Sequence, residues 1–287
     1  MALDSHITRV MAAVAAAVIF PIAVVESIAA YRLPARVASA DDWTKASARV
    51  RKDFASGDLL VFAPAWVDQI GRSKLGDLMP VEMIARSSDD AYGRVWVVGV
   101  RGARAELPAS AKLVSSEQLG QLTVSLYEKP AVKILYDFVA HFEAARVTLV
   151  RNEERPCLGD GEARKCGQSR IERRTAEVDY QPRRAILVPV EAGATTRLEY
   201  DVELGSKLVV YVGLHDYYAR KSADGKLDVR IAIDGQEKRH VEHRNDGGWE
   251  RVELDTRGLT GQHTVRFDVS AKAAVWRIGA IAAEVQQ

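Results

Sequence analysis

Leu227–Glu237 reads LDVRIAIDGQE, and this stretch decides the architecture. Leu227, Val229, Ile231 and Ile233 alternate with Asp228, Arg230 and the small Ala232, so one face of an extended chain is strongly apolar. Asp234-Gly235 then forms a two-residue turn, because both positions tolerate the left-handed backbone that a tight hairpin needs. The same grammar runs outward in both directions. Val147–Arg151, Ala185–Val190, Arg197–Leu204 and Lys207–Leu214 precede it as candidate strands. Glu237–His243, Trp249–Asp255, His263–Val269 and Val275–Val285 follow it. Gly193, Gly205, Gly225, Gly247-Gly248 and Gly258 punctuate them. Many short strands with Gly/Asp turns predict an all-β, jelly-roll-like sandwich over residues 147–287.

Upstream the period changes to that of mixed structure. Trp43, Ala46, Ser47, Val50 and Phe54 share one face of a predicted helix, which Asp41-Asp42 would cap. Leu59–Ala63 and Val95–Val100 are short continuous apolar runs, the pattern of strands buried on both faces. Leu75, Leu78, Met79 and Met83 keep helical spacing between them, broken by Pro80. Strand, helical connection and strand predict a parallel pair, and Leu122–Tyr127 supplies a further strand. A small α/β domain is therefore expected over residues 43–129. Ile134, Leu135, Phe138, Val139 and Phe142 then suggest a bridging helix over residues 130–146.

The N-terminus reads differently again. Val10–Ala30, VMAAVAAAVIFPIAVVESIAA, is long enough to cross a hydrocarbon core of about 30 Å. Residues 1–9 would then be a tail, 10–30 a transmembrane anchor or a cleavable signal segment, and 31–42 a linker. Arg9 is outweighed by Arg32 and Arg36, which would put the body inside. Cys157 and Cys166 oppose that orientation, since as a disulfide they imply an oxidising compartment. Two free thiols are the alternative, and a metal pair lacks further ligands in register. The expected topology is a single-pass membrane protein with its C-terminal body extracytoplasmic, periplasmic in a bacterium.

With 40 Lys+Arg against 39 Asp+Glu, the composition excludes a strongly basic nucleic-acid binder, and no nucleic-acid partner is expected. No cofactor is implied: neither GxGxxG nor GxxxxGK[ST] follows a predicted strand, and no GxSxG is present. His240 and His243 fall on opposite faces of a strand, so no metal site is expected there. Asp58, Asp68 and Asp77 read as solvated or capping carboxylates, and Trp66 and Trp96 as core or interface aromatics. Arg170, Arg173, Arg174, Arg183 and Arg184 are interleaved with Glu172, Glu177 and Asp179, a mixed-charge surface. In an open α/β sheet a ligand would lie beyond the strand ends, at Pro64–Asp68 and Arg101–Arg104. Sugar binding needs an exposed aromatic with polar groups beside it. His215, Asp216, Tyr217, Tyr218 and Arg220, directly after a predicted strand, supply that mixture, with Trp249 a further candidate after Gly247-Gly248. The competing reading of that loop is a structural cover for the sandwich end.

Two resemblances follow from these residues. DWTKASARVRKDFASGDLLVFAPAW (42–66) and YGRVWVVGVRG (92–102) resemble the soluble tail of membrane-embedded, lipid-linked-sugar glycosyltransferases of the dolichyl-phosphate-mannose-mannosyltransferase-like class. The many spans and the acidic loop residue of that class are missing, so no catalytic residue carries over. LVVYVGLHD, LDVRIAIDGQE, GWERVELDTRGLTGQHTVRFDVSA and WRIGAIAAEV resemble, in order, the strands of galactose-binding-like, carbohydrate-binding β-sandwich modules. Together they imply a non-catalytic accessory or glycan-binding protein of the cell envelope, with an envelope glycan or a membrane glycosyltransferase as partner. The alternatives are a carbohydrate-active enzyme working through Asp68 or Asp216 and a purely structural partner of a membrane glycosyltransferase.

Overall fold

The computed structural model describes residues 11, 14, 16–28, 37–159, 161–215, 226–272 and 277–287. Two antiparallel sheets form the larger part. One has strands β5 (Ile134–Asp137), β8 (Ala163–Cys166), β9 (Ser169–Val178), β10 (Gln181–Pro189), β12 (Lys207–His215), β15 (Glu250–Asp255) and β17 (Ile278–Gln286). Its order is β15-β12-β17-β10-β9-β8, and β5 continues the edge of β17 beyond β10. The other runs β14-β13-β16-β11-β6-β7. It comprises β6 (Arg146–Val150), β7 (Glu154–Pro156), β11 (Thr195–Glu203), β13 (Leu227–Ile233), β14 (Gln236–His243) and β16 (Gln262–Ala271). In this second sheet burial alternates residue by residue, as in β11, because one face meets the core and the other meets solvent. Phe138, Tyr200 and Phe267 meet edge to face inside the core, with Phe138 4.9 Å from Tyr200 and 5.4 Å from Phe267.

β12 and β17 do not alternate; they are buried along almost their whole length. Their inner residues, such as Val210 and Ile281, fill the sandwich. Their outer face, with Tyr211, Glu284 and Gln286, is covered by the N-terminal unit. That unit is a four-stranded sheet, β1-β2-β4-β3, made of β1 (Leu59–Ala63), β2 (Arg94–Val100), β3 (Lys112–Leu119) and β4 (Leu122–Glu128). β1 and β2 pair in parallel, Leu59 opposite Val95, and the other pairings are antiparallel. Helix α1 (Ala40–Asp53) lays Trp43, Ala46 and Val50 on this sheet. Its N-cap is Ser39, with Asp42 completing a capping box, so the acids expected to cap it lie in its first turn. Two short helices, α2 (Asp68–Leu75) and α3 (Val81–Ile84), make the connection from β1 to β2.

Three expectations are corrected. The order of transmembrane helix, α/β domain and sandwich gives way to a mostly β-sandwich chain with a few short helices, because the apolar run alone does not set helix length. Among the described residues no helix is long and apolar enough to cross a membrane. Anchoring through residues 10–30, and with it the single-pass, extracytoplasmic placement, therefore loses its support. The bridging helix over residues 130–146 is also absent: Ile134–Asp137 is a strand and Phe142–Ala144 a single turn of 3-10 helix. Its helical spacing arose because Phe138, Val139 and Phe142 all enter the core while Tyr136 and Asp137 pair with β17. An open strand edge claimed those backbone groups. Cys157 and Cys166 are joined as a disulfide, their Cα atoms 4.5 Å apart.

Phe138→Ala removes the centre of the aromatic cluster. It is expected to cost about 3–5 kcal/mol in the denaturant-unfolding free energy.

Candidate functional site

Where the N-terminal sheet meets the outer face of the first sandwich sheet, a cleft of about 690 Å³ opens. One wall is the end of β1 with Pro64, Ala65 and Asp68, and the loop Arg104–Pro108 that follows β2. These are the carboxyl ends of the parallel pair, where the sequence placed a candidate site. The facing wall is Tyr180–Arg183, Tyr211, Trp249 and Arg251 from the sandwich.

The floor is a network of charged and polar groups. Asp90, from the loop before β2, accepts from the Arg251 guanidinium and from the Gln286 amide, each at 2.7 Å. Arg251 also donates to the Tyr211 hydroxyl at 3.1 Å and pairs with Glu253. Arg183 donates to the Ser87 carbonyl at 2.8 Å and lies 4.2 Å over the Tyr211 ring and 5.8 Å from the Trp249 ring. Arg86 pairs with Asp89. Burial opposes ionisation of Asp89, yet the nearby Arg86, Arg183 and Lys129 hold its carboxyl below the ordinary value. Burial pushes Asp68 upward, against the pull of Arg72, 2.7 Å away, and of Arg86. Glu284 is also raised, chiefly by burial, although Ser88 and Gln286 both donate to it at 2.7 Å.

Tyr180 stands at the rim and is 51% exposed. Asp179 and Tyr180 form the two-residue turn between β9 and β10 with φ of 53° and 62°. This backbone normally calls for glycine or asparagine, and a tyrosine there is strained. Beside it the Trp249 indole donates to the Gln181 carbonyl at 2.9 Å, which fixes the ring against the same turn. Gly213 leaves room for that ring, since a Cβ there would lie 2.9 Å from it.

The sequence-predicted residues fare unevenly. Trp249 lines the cleft. His215 ends β12 half-buried, four residues and roughly 13 Å along the strand from Tyr211, and is not part of the cleft wall. Asp216, Tyr217, Tyr218 and Arg220 lie outside the described residues. Asp58 is structural: it is buried and accepts from the Trp96 indole and the Ala55 amide, each at 2.9 Å. Asp77 pairs with Arg51 on the surface. Trp66, expected in a core or interface, is 53% exposed. His240 sits 3.0 Å from Asp228, and with Glu242 these are three potential metal ligands, but Lys226 pairs with Glu242. Sequence reasoning missed Tyr180, Tyr211 and Arg251. The one local sign was Asp179-Tyr180 between two β-rich runs, a hairpin turn without glycine.

The protein is thus a β-sandwich carrying a small mixed sheet, with a polar and aromatic cleft between them. No family model and no curated relative matches the chain, so the resemblance to glycosyltransferase tails has no matching family behind it. Several of its structural neighbours are carbohydrate-binding CBM51 domains. The CBM51-2 and INT domains of Clostridium perfringens ZmpB, in complex with GlcNAc, match with a TM-score of 0.37 and 12% identity. That match covers 62% of this chain and 41% of that one, so it spans about two-fifths of the neighbour. The CBM51 of C. perfringens GH95, in complex with methyl-galactose, gives 0.30 and 12%, over 40% of this chain and 81% of that one. The tandem CBM51 modules of a Streptococcus pneumoniae SP3-BS71 family 98 glycoside hydrolase give 0.33 and 11%, over 59% and 57%. At these scores the likeness assigns no ligand.

Glu284→Gln keeps the acceptor for Ser88 and removes the titration. The folded-state pKa of Glu284 lies above its ordinary 4.5, so its favourable contribution is complete below that value and is lost as pH rises through the folded pKa. The variant is expected to be more stable than the parent at pH 7 and to lose that advantage below about pH 4.5, as read in thermal melts across pH.

Proposed function

We propose that the protein is a non-catalytic glycan-binding protein whose ligand lies in the cleft between the mixed sheet and the sandwich. The observation that carries this reading is the exposed Tyr180, held on a strained turn next to Trp249 at the edge of a polar cleft. An aromatic face covers the apolar side of a sugar ring, while hydroxyls need fixed hydrogen-bonding groups beside it. Arg183, Arg251 and Asp68 are such groups, already oriented by their protein partners. Pre-oriented side chains lose little freedom on binding, which favours affinity.

The enzymatic alternative is weaker. Glycoside hydrolysis uses two carboxyl groups set to different protonation tasks, separated by about 5–9.5 Å. Asp68, Asp89, Asp90 and Glu253 are each engaged by a cation, and the remaining lining acid, Glu106, stands alone on the exposed loop after β2, so no pair of free carboxyl groups faces the cleft. Asp68→Asn is expected to weaken glycan retention, and no turnover of a labelled polysaccharide is expected of either form.

Affinity electrophoresis of the full chain against a panel of polysaccharides tests the reading. Tyr180→Ala or Trp249→Ala should weaken retention at least about tenfold, about 1.4 kcal/mol. Retention lost on Tyr217→Ala and Tyr218→Ala but kept in the Tyr180 variant would move the ligand to the loop after His215. No retention by any polysaccharide would sink the reading.

A further inference from the structure

We infer that the glycan taken by this cleft is acidic, bearing a carboxylate or sulfate that Arg183 receives from one wall and Arg104 from the other. The inference rests on the glycan-binding reading above and adds the ligand's charge. Six cationic side chains line the cleft: Arg86, Arg104, Lys129, Arg183, Lys207 and Arg251. Four already have protein oxygens. Arg86 holds Asp89, Arg251 holds Asp90 and Glu253, Lys207 lies 2.9 Å from Glu253, and Lys129 donates to the Asp90 carbonyl at 3.1 Å.

Arg183 and Arg104 differ. Among the described residues no carboxylate lies within ion-pairing distance of Arg183; its hydrogen bond goes to a backbone carbonyl, and its buried Nε has no acceptor. Stacking on Tyr211 fixes the plane of the guanidinium. Arg104 is exposed on the opposite loop and makes no hydrogen bond or ion pair among the described residues. Of the acidic lining groups, Asp68, Asp89, Asp90 and Glu253 are all paired with cations. Glu106, on the same exposed loop as Arg104, is the remaining acid. An oxyanion in the cleft would therefore meet guanidinium groups that make no ion pair among the described residues, Asp89 acting on Arg183 only from beyond ion-pairing distance, and a fork of N–H donors matches two oxygens of a carboxylate or sulfate. A neutral hydroxyl accepts one hydrogen bond and leaves the charge unanswered.

The test is affinity electrophoresis of the full chain in polygalacturonate against its methyl ester, and in dextran sulfate against dextran, so that each pair differs in charge alone. We expect the charged member of at least one pair to retard the protein at least tenfold more strongly. Polygalacturonate preference assigns a carboxylate, and dextran sulfate preference a sulfate. Arg183→Gln and Arg104→Gln should each abolish most of that difference, and Arg183→Lys should restore only part of it, because charge returns without the fork. Since Arg183 also holds the Ser87 carbonyl, a lowered melting point in its variants leaves Arg104→Gln, which disturbs no protein contact, to decide. Equal retardation by charged and neutral polymers, abolished by Tyr180→Ala, overturns the inference and leaves the glycan reading standing. A charge preference unchanged in Arg104→Gln and Arg183→Gln also overturns it. Retardation by none of the four polymers overturns both.

Discussion

The carboxylate of Asp90 is the point on which the two parts of the molecule depend. It enters from the loop before β2 and receives Arg251 and Gln286 from two different strands of the sandwich. A half-buried carboxylate is costly to leave unpaired, so the geometry of these donors is favoured once the loop is seated. The Ser88–Glu284 and Arg183–Ser87 hydrogen bonds then follow along the same line of contact. This polar seam explains how a sandwich sheet whose central strands are buried on both faces keeps its outer side, with Tyr211, Glu284 and Gln286, from solvent. β12 and β17 are covered inside by the second sheet and outside by the N-terminal unit.

The same seam shapes the cleft. Arg183 and Arg251 are held on the sandwich face by Tyr211, while the end of β1 and the loop after β2 stand opposite. Because the floor is cross-linked by ion pairs, the rim residues project from a rigid base. The strain at Tyr180 is local and sits where the chain turns from β9 to β10. A tight hairpin built from Asp179 and Tyr180 sacrifices some backbone stability and places an aromatic ring at the mouth.

Much of the strand order was open to reading. The alternation in Leu227–Ile233 and the Asp234-Gly235 turn gave one hairpin directly, and β13 and β14 pair there as an antiparallel ribbon. The parallel partners Leu59–Ala63 and Arg94–Val100 were visible as apolar runs. The segment around Phe138 misled because residues that reach one core from a strand and a following turn can mimic helical spacing. The membrane reading misled for a related reason: an apolar run specifies preference for a nonpolar medium, and does not by itself specify a helix long enough to cross one. Of the site, Trp249 and the neighbourhood of Pro64 and Arg104 were legible, whereas Tyr211 and Arg251 looked like ordinary strand residues.

The amino-acid sequence by itself determined the sandwich, because a period of two with Gly and Asp at the turns is a local property of neighbouring residues. It also set the near balance of charge, 40 cationic against 39 acidic side chains. Only the tertiary structure decided which of those charges answer one another. Asp90 and Arg251 are 161 positions apart, and Ser88 and Glu284 are 196 apart. Such pairs have no local signature, since their meeting depends on which sheet face the N-terminal unit covers. For the same reason it became visible only in the tertiary structure that Arg183 makes no ion pair among the described residues, the neighbouring Asp89 and Asp90 being paired with Arg86 and Arg251.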